Sequence, residues 1–439
     1  MVLQQKSNVK LWGWASPGEK IFITNTWNNK TDSVVATGDA NWLTTIQTPA
    51  AGGPYTITLK GNNEIILENI MIGEVWVCSG QSNMEMNEQW GKLQDIKAEL
   101  PTCYNKNIRF LFVPKTTSSH PQDDCKAEWM ICDSNTLQNF SAAGYFFGKK
   151  LNQDLTVPIG LVNSNWGGTP AETWTPKEVI NKNDTLKNAA AMLKTNPWWP
   201  AGAGLAFNGM IAPLTNFSIA GVIWYQGESN TDAPLTYSRL FTSMIDAWRK
   251  EWNNNFPFYY VQIAPYRYGN KNVGALLQEA QTKSMNHDNV GMVVITDLVA
   301  DTNNIHPTDK HDVGERLANW ALAKTYLKGG IVYKSPMYKN IAIDNEKAIL
   351  SFYDAESGLQ AKGKTIKEVM IAGKDKIFYP ADAKIEIDKL IVWSKQVKKP
   401  VAVRYAFGNT AIGNIFSLNG LPLTAFRTDN WQVDTSKIQ

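Results

Sequence analysis

Ser82 lies in a position typical of a nucleophile. Gly80-Gln81-Ser82-Asn83-Met84 directly follows the apolar run at residues 74–79, which predicts a buried strand. Ser82 would therefore lie at the carboxyl end of that strand, where ligands bind in open α/β sheets. The same serine forms a Ser-x-x-Glu pattern with Glu85, which is typical of a helix cap. Catalysis and capping both stay open here, because a nucleophile on a strand-to-helix turn often begins the helix.

Two other predicted strands end in segments with chemical potential. Asn165-Trp166-Gly167-Gly168-Thr169-Pro170 follows the run at residues 158–163, and its glycines would let backbone N–H groups approach a ligand closely. Gln226-Gly227-Glu228-Ser229-Asn230 follows the run at residues 220–225. The alternatives are a simple glycine turn in the first segment and a polar loop capped by Ser229 in the second.

Histidine is scarce, since the chain has four: His120, His287, His306 and His311. A lone histidine is more often structural than catalytic, but His306 lies just past the last predicted parallel strand at residues 290–296. His311 is expected to begin a surface helix that runs through Val313, Leu317 and Trp320. His306 is therefore the candidate base.

Serine chemistry requires a base, a carboxylate that orients the base, and donors for the oxyanion. Ser82 would be the nucleophile and His306 the base. The oxyanion would be held by the N–H groups of Ser82 and of Gly167 or Gly168, together with the Gln226 side chain. All of these would converge on one edge of one sheet, so the sequence predicts a serine hydrolase.

The pattern of elements predicts an α/β protein with a parallel sheet flanked by helices and with β-domains at both ends. Residues 1–68 read as a β-sandwich-like N-terminal domain. Residues 69–328 alternate strands and helices as an α/β catalytic domain, and its short apolar runs are typical of parallel strands covered on both faces. Residues 329–439 return to β-patterns and form a C-terminal β-domain.

Composition limits the possible partners. The 439 residues carry 43 Lys plus Arg against 40 Asp plus Glu, a balance that gives no reason to expect nucleic acid. The chain has no apolar stretch of about twenty residues, so membrane insertion is not expected. The 17 tryptophans and 15 tyrosines fit carbohydrate binding, but aromatic rings also fill ordinary cores.

The four cysteines lack the spacing of a zinc site, so no metal is expected. Cys78 is interpreted as a buried hydrophobe. A disulfide among Cys103, Cys125 and Cys132 stays open.

The motifs resemble the SGNH/GDSL-type hydrolase superfamily and, within it, the sialate O-acetylesterase family and related carbohydrate acetylesterases. The resemblance covers nearly the whole chain. It is carried by residues 73–85, 166–172, 224–230 and 304–307, with terminal motifs at 1–4, 419–422 and 426–429. It implies an SGNH-type flavodoxin-like sheet and a serine esterase without cofactor or metal that removes O-acetyl groups from a carbohydrate. It also implies an exported protein, periplasmic or extracellular, whose signal peptide is absent from this chain and for which Met1 is not the natural start.

One residue departs from the superfamily pattern. In that pattern an aspartate lies three residues before the histidine, and in this chain the position is Asn303. Acetylxylan esterases similar to this family draw a glutamate from the Gln-Gly-Glu motif, which implies Glu228 as the acid. Asp301 is the next candidate and Asp297 the third. Met84 replaces the second glycine of the α/β-hydrolase elbow, so that class does not fit.

The predicted substrate contacts are Gln81, Asn83, Trp166 and Trp174. Two alternative functions stay open alongside that of an acetylesterase. A general carboxylesterase or lipase-like enzyme on the same site would require an apolar acyl channel. A non-catalytic carbohydrate-binding protein would use its aromatic β-domains and would not need Ser82.

Overall fold

The computed structural model describes residues 1–438. Its chain divides into two compact units. The first comprises Met1–Trp224 and Ser243–Phe258, and the second comprises Tyr225–Thr242 and the chain from Tyr259 onward.

Strands and helices alternate in the middle of the chain, whereas strands dominate its two ends. The strands up to residue 225 are β1 (Val2–Gln4), β2 (Asn8–Trp14), β3 (Lys20–Asn25), β4 (Thr31–Val35), β5 (Asn41–Gln47), β6 (Gly52–Lys60), β7 (Glu64–Gly80), β8 (Asn105–Phe112), β9 (Trp129–Cys132), β10 (Ile159–Asn165) and β11 (Gly221–Tyr225). The later strands are β12 (Phe258–Val261), β13 (Val290–Val293), β14 (Met337–Asp344), β15 (Lys347–Tyr353), β16 (Leu359–Ala361), β17 (Val369–Ala372), β18 (Phe378–Pro380), β19 (Asp382–Glu386), β20 (Lys389–Trp393), β21 (Ala402–Tyr405), β22 (Ile415–Ser417) and β23 (Phe426–Arg427). The helices are α1 (Ser82–Glu85), α2 (Gln94–Glu99), α3 (Ser134–Leu137), α4 (Ala142–Leu155), α5 (Lys177–Asn181), α6 (Asp184–Ala191), α7 (Pro234–Trp252), α8 (Val273–Ser284) and α9 (Lys310–Trp320).

The central sheet of the first unit has the strand order β11-β7-β10-β8-β9. β10 pairs in parallel with both β7 and β8, and β9 closes the edge antiparallel to β8. α4 packs against β10 and β8, and its N-cap Ser141 accepts a hydrogen bond from the Gly144 N–H. In the second unit β12 and β13 are neighbours, and α8 and α9 pack against β13. The predicted α/β fold, a parallel sheet flanked by helices with β-regions at both ends, is confirmed.

Each of the five apolar runs that predicted parallel strands, the four given above and a fifth at residues 257–263, corresponds to a strand, because each is short, apolar and buried. β8 was not predicted. Its first residues are Asn105, Lys106 and Asn107, and Arg109 interrupts the apolar pattern. Arg109 is nevertheless buried, because its guanidinium donates to the backbone and side-chain oxygens of Asn69 at 2.6 and 2.7 Å.

The N-terminal β-region is antiparallel. β2 pairs with β5, and β3 pairs with both β4 and β6. β7 is 17 residues long: it pairs with β6 over its first part and with β10 over its second. The predicted domain boundary at residue 68 therefore falls inside a strand.

The C-terminal β-region contains the strand orders β14-β15-β20-β19 and β18-β17-β21-β23. Apolar side chains such as Leu350, Ile371 and Val403 have no exposed surface and form its core. The region contacts α8 of the same unit, because the Arg427 guanidinium donates to both oxygens of Glu279 at 2.9 and 3.0 Å.

All four cysteines are free thiols, and the Cys132 thiol donates to the Cys103 carbonyl oxygen at 3.2 Å. Within residues 1–438, no helix is both long and apolar enough to cross a membrane.

Candidate active site

The turn after β7 places Ser82 on the first residue of a short helix. Gly80 leaves the strand with a φ of +133°, a conformation that favours glycine, and Gln81 is the N-cap of α1. Ser82 is half-buried and lies inside the helix, where its carbonyl oxygen accepts a hydrogen bond from the Met86 N–H. Ser82 therefore does not occupy the N-cap position that the capping alternative required, and the interpretation as a nucleophile stays a prediction.

The glycine turn after β10 lies beside this serine. A Cβ built on Gly167 would stand 3.4 Å from the Ser82 Cβ, so the absence of a side chain allows the approach. The Gly167 N–H donates to Glu85 Oε2, and Lys115 Nζ donates to Glu85 Oε1 at 2.7 Å. The structure thus brings Ser82 and Gly167 together, as predicted. It contradicts an oxyanion role for the Gly167 N–H, because Glu85 already accepts that hydrogen bond.

Gln226, in the second unit, has no exposed surface. Its Nε2 donates to Asn230 Oδ1 at 2.7 Å, and its Oε1 accepts from the Tyr237 hydroxyl at 2.9 Å. The predicted oxyanion role of Gln226 stays a prediction. These bonds fix the loop that carries Glu228.

Glu228 begins a short 3₁₀ turn, Glu228–Asn230, directly after Gly227, whose φ is +154°. The carboxyl group is buried. Burial, together with the charge of Glu228, raises the pKa of Tyr225 and of Tyr268. Burying a carboxylate is unfavourable unless its environment compensates for the lost hydration, and such groups cluster at functional sites.

The loop before His306 is built on asparagine turns. Asn304 Nδ2 donates to the His306 carbonyl oxygen at 2.8 Å, and the His306 N–H donates to Asn304 Oδ1 at 3.0 Å. Asp301 is exposed, and its Oδ1 accepts from the N–H and Nδ2 of Asn303 at 2.8 and 2.9 Å. The loop is therefore held by its own side chains.

Asp297 forms a bidentate ion pair with Arg316 at 2.8 and 2.7 Å, on the N-terminal side of the same loop. Its carboxylate is committed to that arginine, so the third candidate acid is wrong. Of the remaining two, Glu228 is buried and Asp301 is exposed.

Two of the predicted substrate contacts are wrong, because Asn83 and Trp174 have no exposed surface. The Trp174 indole N–H donates to the Thr169 hydroxyl at 2.9 Å, and its ring packs edge-on against Trp224. Gln81 is also buried, and its contact with substrate stays a prediction. Trp166 is half-buried and remains a candidate.

Sequence reasoning missed three residues around the glycine turn, Lys115, Trp198 and Trp199, and it interpreted Glu85 only as part of a helix cap. The adjacent tryptophans between Pro197 and Pro200 were the available signal. Nothing in the spacing of Lys115 pointed to it. Among residues 1–438, no group of three or more His, Cys, Asp or Glu side chains is arranged to hold a metal ion.

Comparison with known proteins identifies the family of this chain. The sequence profile of a family described as carbohydrate esterase, sialic acid-specific acetylesterase, matches residues 72–323. The chain is similar to the sialate O-acetylesterase of Homo sapiens, with 28% identity over 410 residues, covering 84% of this chain and 78% of the relative. The Mus musculus protein is 27% identical over 435 residues, with 84% and 80% covered. A solved carbohydrate acetylesterase from Xanthomonas citri is 35% identical, with a TM-score of 0.89 over 98% of this chain and 97% of that one.

Fold and sequence together place the chain among the carbohydrate esterases. Within that class it belongs to the sialic acid-specific acetylesterase family, and its enzymatic class is that of a carbohydrate O-acetylesterase. The predicted resemblance is confirmed.

Proposed function

We propose that the protein is a serine esterase that removes O-acetyl groups from a carbohydrate through an acetyl-enzyme intermediate. The observation that carries the proposal is the position of Ser82, partly exposed at the carboxyl end of a buried strand and next to a glycine turn. A hydroxyl in that position can reach a carbonyl carbon while backbone N–H groups face the oxygen.

In this mechanism His306 accepts the Ser82 proton as Ser82 Oγ attacks the acetyl carbonyl carbon. The tetrahedral intermediate collapses, the bond between the acetyl carbon and the sugar oxygen breaks, and His306 gives the proton to that oxygen, which leaves as a hydroxyl. Water then attacks the acetyl-enzyme with His306 as base, which releases acetate and restores Ser82. Glu228 orients the imidazole and offsets its positive charge. Burial of Glu228 and the exposure of Asp301 support this assignment.

The N–H groups of Ser82 and Gly168 are the proposed oxyanion donors. Gly168 has a φ of +80°, which turns the backbone sharply beside Ser82. The Glu85 carboxylate supports this geometry by holding the preceding N–H.

The proposed substrate is an acetylated glycan, either a sialic acid or another acetylated sugar. The names of the relatives support this class, which includes both sialate and broader carbohydrate acetylesterases. We further propose, from the resemblance to the family alone, that the protein acts outside the cytoplasm. Cell fractionation of the native host would test the location, and recovery of the protein in the cytoplasm alone would oppose it.

Release of acetate from a panel of acetylated sugars, measured with the wild type and Ser82→Ala, tests the function. The proposal expects acetate from at least one sugar and its loss in the variant. Preference for long acyl esters of simple alcohols would favour a general carboxylesterase. Binding of glycans without acetate release would favour a non-catalytic protein.

A further inference from the structure

Two tryptophans contact the glycine turn beside Ser82 or its first residues. The Trp199 indole lies so close against Gly168 that a Cβ at that glycine would collide with its ring. The Trp166 indole N–H donates to the Trp198 carbonyl oxygen at 3.2 Å. These two contacts fix the segment containing Trp198 and Trp199 to the turn that follows β10.

The outer side of this cluster is open. The Trp198 side chain is 77% exposed, and Trp166 is half-buried. Lys115 Nζ lies 5.8 Å from the centre of the Trp166 ring, and its charge is compensated by Glu85 at 2.7 Å. The exposed indole of Trp198 offers apolar surface, and the indole of Trp166 lies beside the charged Lys115, a combination suited to an amphipathic ligand.

Resting on the proposed function, we infer that Trp166 and Trp198 form an aromatic platform that binds the pyranose ring carrying the acetyl ester. Trp199 is a positioning residue that seats the platform on Gly168. A pyranose has a face of C–H bonds that can stack on an indole and a rim of hydroxyls that need polar partners. A fatty acyl chain would instead need an enclosed channel, whereas this platform is open to solvent.

The location of the platform explains how it would serve the reaction. Gly167 contacts Ser82 and Gly168 contacts Trp199, so two consecutive residues connect the nucleophile to the aromatic cluster. A sugar stacked there would be held near Ser82, and holding a reactant in place lowers the entropic part of the barrier.

The test compares the wild type with Trp198→Ala on three esters: 4-nitrophenyl acetate, an O-acetylated methyl xyloside and an O-acetylated sialic acid. We expect the ratio of kcat/KM on the sugar esters to that on 4-nitrophenyl acetate to fall about tenfold, as loss of one aromatic contact implies. The loss should be mainly in KM, and Trp198→Phe should restore most of it. A larger fall on one sugar ester identifies the sugar that the platform fits.

Trp14→Ala is the matched control, because this indole is 52% exposed on β2 and lies outside the cluster. It should leave the ratio unchanged. An equal fall on all three esters in Trp198→Ala would overturn the platform and make the segment a general support. Unchanged kcat/KM on all three esters would overturn it as well. A wild type that cleaves 4-nitrophenyl acetate but no sugar ester would reject the proposed function itself, whatever the tryptophan variants do.

Discussion

Ser82 and Glu228 differ in burial and in local structure, and this difference determines the effect expected from substituting each residue. Ser82 is partly exposed and does not cap its helix, since Gln81 occupies that position. Glu228 is buried in a loop that Gln226 and Gly227 hold in place. Removing the Ser82 hydroxyl should therefore change chemistry alone, whereas neutralising Glu228 removes a charge from a low-dielectric environment.

Ser82→Ala should lower kcat by about four to six orders of magnitude, because the covalent step is lost. Its free energy of unfolding should stay within about 0.5 kcal/mol of the wild type, as expected for a position that is not a helix cap. Steady-state acetate release and urea denaturation measure the two effects. A variant that keeps a tenth of wild-type turnover would rule out the covalent mechanism.

Glu228→Gln should reduce kcat about 10⁴-fold, by analogy with neutralising the aspartate of a serine triad. The amide keeps the shape but cannot offset the charge of the imidazolium form of His306. Asp301→Asn is the matched control, because it makes the same change on an exposed side chain of the His306 loop. If Asp301→Asn caused the large loss and Glu228→Gln a small one, the assignment of the acid would be reversed.

At the scale of elements, α1 and the turn after β10 are joined by one side chain. Glu85 belongs to α1, and it accepts hydrogen bonds from the Gly167 N–H and from Lys115 in the loop after β8. Its two oxygens therefore link three separate segments around Ser82. This contact fixes the turn without making Glu85 part of the reaction.

Glu85→Ala should lower kcat by about a hundredfold, because a displacement of about 1 Å in a positioned donor can have that effect. Glu85→Gln keeps an acceptor oxygen for the Gly167 N–H and should retain most of the activity. KM for 4-nitrophenyl acetate should change less than kcat in both variants. Equal losses in Glu85→Ala and Glu85→Gln would show that the charge, rather than the hydrogen bond to the turn, is what the site requires.

The elements themselves were largely predictable from sequence, and the side-chain directions were not. Apolar runs of four to eight residues predicted β10, β11 and the last part of β7, since a strand buried on both faces needs little else. Trp174 was assigned to the site by residue type and position, but it points into the core. The bond between Glu85 and Gly167 joins residues 82 positions apart, a separation over which no local pattern carries information.

At the scale of the molecule, a set of ion pairs secures the C-terminal β-region. Arg404 donates to both oxygens of Asp429 at 2.9 and 2.8 Å, and Arg427 reaches Glu279 of α8, 148 positions away. The Asp429 side chain is only 1% exposed. Burial alone would raise the pKa of Asp429, but hydrogen bonds and charge from Arg404 lower it below the usual value.

Asp429→Asn should lower the free energy of unfolding at pH 7 by about 3 kcal/mol, because it leaves Arg404, whose side chain is only 17% exposed, without its counter-charge. The folded-state pKa of Asp429 lies below the unfolded value of about 4, so its contribution is complete above that pH. The contribution is lost as the pH falls through the folded-state pKa, and the difference between variant and wild type should shrink accordingly. Urea denaturation at neutral and acidic pH measures this trend.

Asp434→Asn is the control, since this carboxylate is 58% exposed and pairs with Lys271 at 3.1 Å on the surface. It should have little effect on unfolding at either pH. A destabilisation by Asp429→Asn that did not diminish in acid would assign the effect to packing instead of charge.

The continuity of β7 limits where related proteins can recombine. Because one strand pairs with β6 at its start and with β10 at its end, recombination at residue 68 would join two halves of a strand from different parents. The mismatch would displace the terminus at Gly80, immediately before Ser82. A working chimera must take β6 and β7 from the same parent, and the N-terminal β-region and the central sheet should be transmitted through the family as one piece.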